Sequence, residues 1–349
     1  MNARVGCAIL GYGPVSDFGR AHAQWISGVP DLQLLAICDR DPDCAAKASA
    51  QFSAATVYGD LDAMLARDDV DLVTVVTPHN THADLVARCL RAGKHVIVDK
   101  PMCITVAEAD AMMHEAERAG RTLAVFQNRR RDGNYRLVHK LVSEGAIGRV
   151  FHVELKAGYF GPAGPGWRAD KAVCGGVLYD WGAHAADWLL TLIASRVEAV
   201  SGYFHKLRWD SMTIADQGRA AVRFEDGTVG DLSLSYLDAA PAPLWRILGT
   251  EGAIVDSGQD SWVGYHPQYR FTCQSPGKLR LIRCSDGERT EEEIQYLPST
   301  WGEYYLEMAQ HLLAGGPVPV PASDGRRAIA LIEAAECSAE GNSEIAVTI

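Results

Sequence analysis

Short apolar runs punctuate the first third of the chain, separated by polar stretches with helical periodicity. "VGCAIL" (5–10), "LQLLAICD" (32–39), "VDLVTVVTP" (70–78), "KHVIVDKP" (94–101) and "RTLAVFQN" (121–128) are brief and rich in β-branched residues. That is the signature of parallel strands covered on both faces. Between them lie helices with marked ends. One is predicted from Asn80 or Thr81 to just before Gly93. Another opens on the capping-box pair Thr105 and Glu108 and stops at Gly120. Strand–helix alternation of this kind predicts a doubly wound parallel sheet of Rossmann type, an α/β domain.

Beyond about residue 150 the pattern changes. "AAVRFEDGTVGDLSLSY" (220–236) and "LRLIRCSDGERTEEEIQYL" (279–297) place alternating runs around Asp-Gly dipeptides, the hairpin signal. A mainly antiparallel sheet with helices, an α+β domain, is therefore expected. Two late helices follow, one from Thr300 through "WGEYYLEMAQHLL" and one capped by Ser323. The stretch "GYFGPAGPGW" (158–167) reads as a functional loop. We expect a cofactor domain over 1–128 and a substrate and oligomerisation domain over 129–349, with the late helices as candidates to pack back on the first.

Composition narrows the class. The 349 residues are too many for one ordinary core, and 48% hydrophobic with 22% charged residues is typical of a globular protein. A net charge of −11 argues against a nucleic-acid surface. No apolar run approaches the ~20 residues needed to span a bilayer, and "MNARVGCAIL" lacks the parts of a signal peptide. The nine cysteines are scattered without a C-x-x-C pair, so we expect reduced thiols, no bound metal and a cytoplasmic location.

After the first run comes "GYGPVSDFG" (11–19), a glycine loop with its last two glycines too far apart for the usual fingerprint. Gly11 and Gly13 suit the tight turn and the close approach of pyrophosphate. Gly19 suits helix–strand packing once an insertion is allowed, and Asp39 then falls about 20 residues later. Tyr12 and Pro14 share the loop. The inserted tip should bulge away, leaving Ser16 or Asp17 to cap the helix. Asp39 can accept from the adenine ribose, favouring NAD, while Arg40 beside it could receive the 2′-phosphate of NADP.

The ligand-binding edge of such a sheet is its carboxyl end. There stand Thr77, Pro78, His79 and His82, and, on the next strand, Asp99 and Lys100. In the second part "CGGVLYDWGAHAADWL" (174–189) puts Asp180 and His184 four apart, on one face if helical, with Asp187 three further on. A histidine beside a carboxylate is a poised proton acceptor. Alone, each group also reads as core or surface; together with a cofactor loop they read as catalytic.

The segments "GRAH" (19–22), "TPHNTH" (77–82), "AGKHVIVDKP" (92–101), "NRRRDGNY" (128–135), "EGAIGRV" (144–150), "GGVLYDWGAHAADW" (175–188) and "GTEGAI" (249–254) together resemble the Gfo/Idh/MocA oxidoreductases. The resemblance spans nearly the whole chain. It implies an NAD(P)-binding domain followed by an open, mostly antiparallel sheet domain, in homodimers or homotetramers. It also implies Lys100 beside nicotinamide and substrate oxygen, Asp180 and His184 as paired acid and base, and Trp167 and Arg168 reaching cofactor and substrate. Asn128 falls among the cofactor contacts, and Tyr159 and Arg130 among the substrate contacts. Asp99 replaces the family's usual glutamate, Arg131 stands where an aromatic is common, and the glycine loop is longer than usual. The arginine run 129–131 could meet an anionic substrate; we read it instead as a structural ion pair between domains.

The function expected is an NAD(P)-dependent oxidoreductase acting on a secondary alcohol of a sugar, cyclitol or derivative. Two rivals use the same residues differently. One is a glycoside hydrolase that oxidises transiently with bound NAD and eliminates the aglycone. The other is a cofactor-binding regulator without catalysis.

Overall fold

The protein was described from a computed structural model covering residues 4–13, 18–164, 166–240, 242–256, 277–285, 287–347 and 349. Its described residues fall into two compact units. The first takes those up to Gln127 with Trp301–Arg326, and the second takes the rest from Asn128.

The first unit is built on strands β1 (Val5–Leu10), β2 (Leu32–Cys38), β3 (Thr56–Tyr58), β4 (Leu72–Val75), β5 (His95–Asp99) and β6 (Leu123–Phe126). All pair in parallel, in the order β3-β2-β1-β4-β5-β6. The helices between them are α1 (Phe18–Gly28), α2 (Pro42–Gln51), α3 (Leu61–Leu65), α4 (His82–Arg91) and α5 (Val106–Ala119). Every residue of β1, β4 and β6 is buried, which is why those strands read as unbroken apolar runs. Strand order reverses between β1 and β4, so their carboxyl ends open the crevice where such sheets bind ligands.

Helix α5 shows how local sequence sets an element. Thr105 Oγ1 accepts from Glu108 N at 3.1 Å, Glu108 Oε2 accepts in return from Thr105 N at 3.0 Å, and Gly120 ends the helix in the left-handed region. The predicted capping box and stop are both present. Helix α1 buries Ala21, His22, Trp25 and Ile26, a helical spacing that lays one face on the sheet. His22 is wholly buried against Phe126, their ring centres 4.4 Å apart, and its Nδ1 lies 2.6 Å from the Tyr305 hydroxyl. Burial pushes this imidazole pKa down to about 3, so it is neutral in the fold.

In the second unit α6 (Gly133–Ser143) precedes β7 (Val150–Gly158), α7 (Lys171–Cys174), a π-turn over Leu178–Gly182 and α8 (Ala183–Leu192). Then come β8 (Val197–His205), β9 (Gln217–Phe224), β10 (Val229–Ser235), β11 (Trp245–Gly249), β12 (Gly252–Asp256), β13 (Lys278–Ser285) and β14 (Glu288–Gln295). Helices α9 (Glu303–Ala314) and α10 (Ala322–Gly341) and strand β15 (Ile345–Ala346) complete the chain. The nine-stranded sheet runs β14-β13-β12-β11-β7-β10-β9-β8-β15, antiparallel except for β7 with β10. Both predicted hairpins are present, as β9–β10 and β13–β14. Alternate residues of β9 and β10 are buried, giving the sheet one covered face, where Tyr135 stacks on Trp188 at 5.7 Å beside Trp245.

Ser323 does not cap the last helix. The helix starts at Ala322, so Ser323 lies within its first turn. Helix α9 belongs to the first unit, where the Tyr304 hydroxyl donates to Val125 O at 3.0 Å. Among the described residues no helix is long and apolar enough to cross a membrane.

Candidate active site

At the end of β1, Gly11 has φ 96°, and a Cβ there would stand 2.4 Å from Val76 O. Only glycine permits so tight a turn. A Cβ on Gly19 would press 2.6 Å from Tyr12 Cα, so this glycine lets α1 close on the loop across the insertion. Gly13, at φ 62°, has nothing within 4 Å of the place a Cβ would take, leaving open space above the loop. Tight turn, close packing and an open backbone approach are the three requirements of a pyrophosphate loop, and these residues fit a dinucleotide. Pro14, Ser16 and Asp17 lie outside the described residues.

Asp39 is engaged with the loop itself. Its Oδ2 accepts from Tyr12 N at 2.7 Å and Gly13 N at 2.9 Å, and its Oδ1 accepts from Asp41 N at 2.9 Å. A carboxylate accepts about four bonds, so beside these three Asp39 keeps room for about one more donor. Arg40 beside it is exposed. Tyr12 turns its ring inward: it is 5% exposed and its hydroxyl donates to Gln51 Oε1. The Tyr12 side chain is thereby committed to packing, and only its backbone remains part of the loop.

The ends of β4 and β5 carry the next group. Lys100 N donates to Asp99 Oδ1 at 2.8 Å, and a cis peptide joins Lys100 to Pro101. His79 is buried with its ring centre 5.9 Å from that of His82. His82, expected as a cofactor contact, is instead wholly buried. Its Nδ1 is 2.9 Å from Pro101 O and its Nε2 2.8 Å from Thr77 O, so both ring nitrogens are taken by backbone. Burial lowers the pKa of this imidazole, against the pull of the carbonyls that face it. Pro78 O lies 2.6 Å from the Thr81 hydroxyl, which closes the same turn.

In the second unit Asp180 lies within the π-turn, and His184 follows in the first turn of α8. The regular α-helix expected across this pair is therefore replaced by a wider turn. Such turns recur at functional sites, where they aim side chains that a plain helix would not. His184 is 3% exposed, with its ring edge-to-face on Trp181 at 5.5 Å. The Arg129 guanidinium lies 4.3 Å from the Trp181 ring centre. Arg168 Nε stands 3.5 Å from Asp180 Oδ2, and its guanidinium covers the Trp167 ring at 4.4 Å. Tyr159 is half exposed, its hydroxyl donating to Pro162 O at 2.9 Å and its ring meeting Tyr236 edge-to-face at 5.4 Å. Burial first, and then the charge of Asp180, raise the pKa of both tyrosines.

Arg130, expected among the substrate contacts, is engaged in an ion pair with Asp187. Its fork makes two bonds to Asp187, Nε to Oδ2 at 2.8 Å and the terminal nitrogen to Oδ1 at 2.6 Å. Both residues belong to the second unit, so the ion pair expected between domains lies inside one of them. Asn128 is buried, and its Nδ2 has no hydrogen-bond partner among the described residues. An idle buried amide donor fits a residue awaiting a ligand.

The structure thus gathers Gly11, Gly13, Gly19 and Asp39 into one loop, and Thr77, Pro78, His79, His82, Asp99 and Lys100 at adjoining strand ends. It gathers Tyr159, Trp167, Arg168, Asp180 and His184 around the π-turn. Sequence reading missed Trp181 and Tyr236. Trp181 is an aromatic directly after a candidate acid, a usable signal; nothing local marks Tyr236, which follows β10 and meets Tyr159, 77 residues earlier. Among the described residues no three metal-ligating side chains cluster.

A family model described as an oxidoreductase family with an NAD-binding Rossmann fold matches residues 5–127, and the GFO/IDH/MocA C-terminal domain matches 135–255. The chain is 30% identical over 339 residues to the uncharacterised oxidoreductase YdgJ of Escherichia coli (strain K12), covering 95% of each. It is 28% identical to the scyllo-inositol 2-dehydrogenase (NADP(+)) IolW of Bacillus subtilis (strain 168), covering 81% of each. A crystal structure of an NAD-binding protein from Listeria innocua superposes with a TM-score of 0.82 at 26% identity, over 98% of this chain and 97% of that one.

Proposed function

Because the chain belongs to the GFO/IDH/MocA oxidoreductase family, we propose that it is an NAD-dependent dehydrogenase oxidising a secondary alcohol of a cyclitol, sugar or sugar derivative. What supports this most is the arrangement within the second unit, where a buried His184 opens the helix that follows the π-turn carrying Asp180. Bound nicotinamide supplies the hydride acceptor. The rest falls to the chain. His184 takes the proton of the reacting hydroxyl, and Asp180 steadies the imidazolium that forms. Lys100 donates to the substrate oxygen as negative charge gathers there, a stabilisation that needs no reorganisation if the lysine is held in advance.

Gly11, Gly13 and Gly19 hold the pyrophosphate. Asp39 secures the loop and offers its remaining acceptor to the ribose, which favours NAD, although IolW is named for NADP. The relative's cyclitol supports the substrate class without fixing the compound. We place the enzyme in the cytoplasm as a homo-oligomer.

The test supplies excess NAD with inositols, free sugars and matching aryl glycosides, following NADH absorbance and aglycone release separately. Net oxidation yields NADH one-for-one with oxidised polyol. Aglycone release without NADH, abolished by stripping the cofactor, would install transient oxidation and elimination instead.

A further inference from the structure

The ring of His82 lies between two backbone carbonyls that belong to different strand ends. One is Thr77 O, just past β4, at 2.8 Å from Nε2. The other is Pro101 O, just past β5 and next to Lys100, at 2.9 Å from Nδ1. Either neutral tautomer donates to one of these oxygens, and the cation donates to both. The side chain is wholly buried, so no water substitutes for either bond. The β4–β5 ladder, which pairs Val75 with Val98, joins the two strands before their ends, and side chains brace each end beyond it. Thr81 binds back to Pro78 and Thr77, and Asp99 binds the backbone of Lys100.

We propose that His82 is a positioning residue for Lys100. Standing between the carbonyl of Pro101, one residue past Lys100, and that of Thr77, and donating to one of them, its ring holds the segment that follows the lysine in register with the β4 turn. Asp99 fixes the amide of Lys100, and His82 stands against the carbonyl of Pro101, one residue further on. The lysine is thus clamped at both flanks while its side chain stays partly exposed. This rests on the dehydrogenase reading only in giving Lys100 its role.

The experiment uses the full chain in five forms: wild type, His82→Phe, His82→Gln, Lys100→Met and the double variant His82→Phe/Lys100→Met. Phenylalanine keeps the ring and removes its polar nitrogens, whereas the glutamine amide restores N–H donors. We expect His82→Phe to lower kcat on the order of ten-fold, since small misplacements of a reacting group are costly, with substrate KM little changed. His82→Gln should recover most of that loss. In the Lys100→Met background His82→Phe should add almost nothing, because a residue acting through Lys100 has nothing left to position. Multiplying losses, or a normal kcat in a folded His82→Phe, would overturn the proposal. A parallel NADH fluorescence titration reads the clamp without turnover: several-fold weaker binding in His82→Phe and near-wild-type binding in His82→Gln are expected. Unchanged binding in a protein without turnover would overturn it, while turnover absent even in the wild type, with the binding pattern intact, sinks the dehydrogenase reading alone.

Discussion

At the strand ends of the first unit, the side chains that matter hold backbone. Asp39 takes the amides of Tyr12 and Gly13, Asp99 that of Lys100, and His82 faces two carbonyls. Around the π-turn of the second unit the side chains hold one another. Arg130 grips Asp187, Arg129 covers Trp181, Trp181 abuts His184 and Arg168 meets Asp180. On the function proposed above, the difference follows from what each region would meet. A dinucleotide is met largely by backbone N–H groups, so the loop must be stiff and its glycines free of Cβ atoms. A polyol is met by side-chain chemistry, so the reacting groups must be packed by neighbours. The first arrangement should tolerate side-chain change away from the loop, and the second should not.

The largest test of that contrast is Arg130→Ala. It leaves the carboxylate of Asp187, 2% exposed, without its bidentate partner, and removal of one member of a buried pair destabilises by about 3–5 kcal/mol. Urea unfolding should show this, and Arg130→Met with Asp187→Leu should recover much of it. A loss under 1 kcal/mol would break the comparison. Next, Lys100→Met and His184→Ala should each fold and bind NADH yet lose turnover by on the order of 10²-fold. Near-normal turnover without His184 would move the base elsewhere.

Asp39→Ala should weaken NAD by roughly 1.5–3 kcal/mol, the range for bonds to a charged acceptor, and NADP by less; isothermal titration of both cofactors distinguishes them. Equal losses would assign Asp39 to loop stiffness alone. The smallest effect concerns the core of the first unit. His22 titrates near 6.5 unfolded and at about 3 folded, so the unfolded chain binds the extra proton between those values. Its contribution is complete above about pH 6.5 and falls by up to ~1.4 kcal/mol per pH unit below it. The pH 7 to pH 5 drop in unfolding free energy should shrink in His22→Phe.

Much of this was legible before any coordinates. The parallel sheet follows from runs apolar at every position, and the hairpins from Asp-Gly turns between alternating runs. Gly19 was recoverable despite the insertion because Asp39 keeps its distance from it. The unread parts depend on partners distant in sequence. His82 looked like a ligand contact because a histidine at a strand end has no local sign that Pro101 O waits opposite, 19 residues on. Arg130 looked like a bridge between domains because Asp187, 57 residues away, had no visible partner. Spacing reveals neighbours on one element; fold closure assigns the rest.

The π-turn at Leu178–Gly182 also bears on ancestry. Such a turn is what a helix becomes when one residue is added without breaking it. Removing that residue would restore a plain turn with the segments on either side still in phase, so Asp180, within the turn, would change its heading while His184 stayed. A descendant could therefore keep both residues in an alignment and still lose the pair through a single codon deletion. For chains of this kind, loop and helix length between acid and base is as much a part of the inherited character as the acid and base themselves.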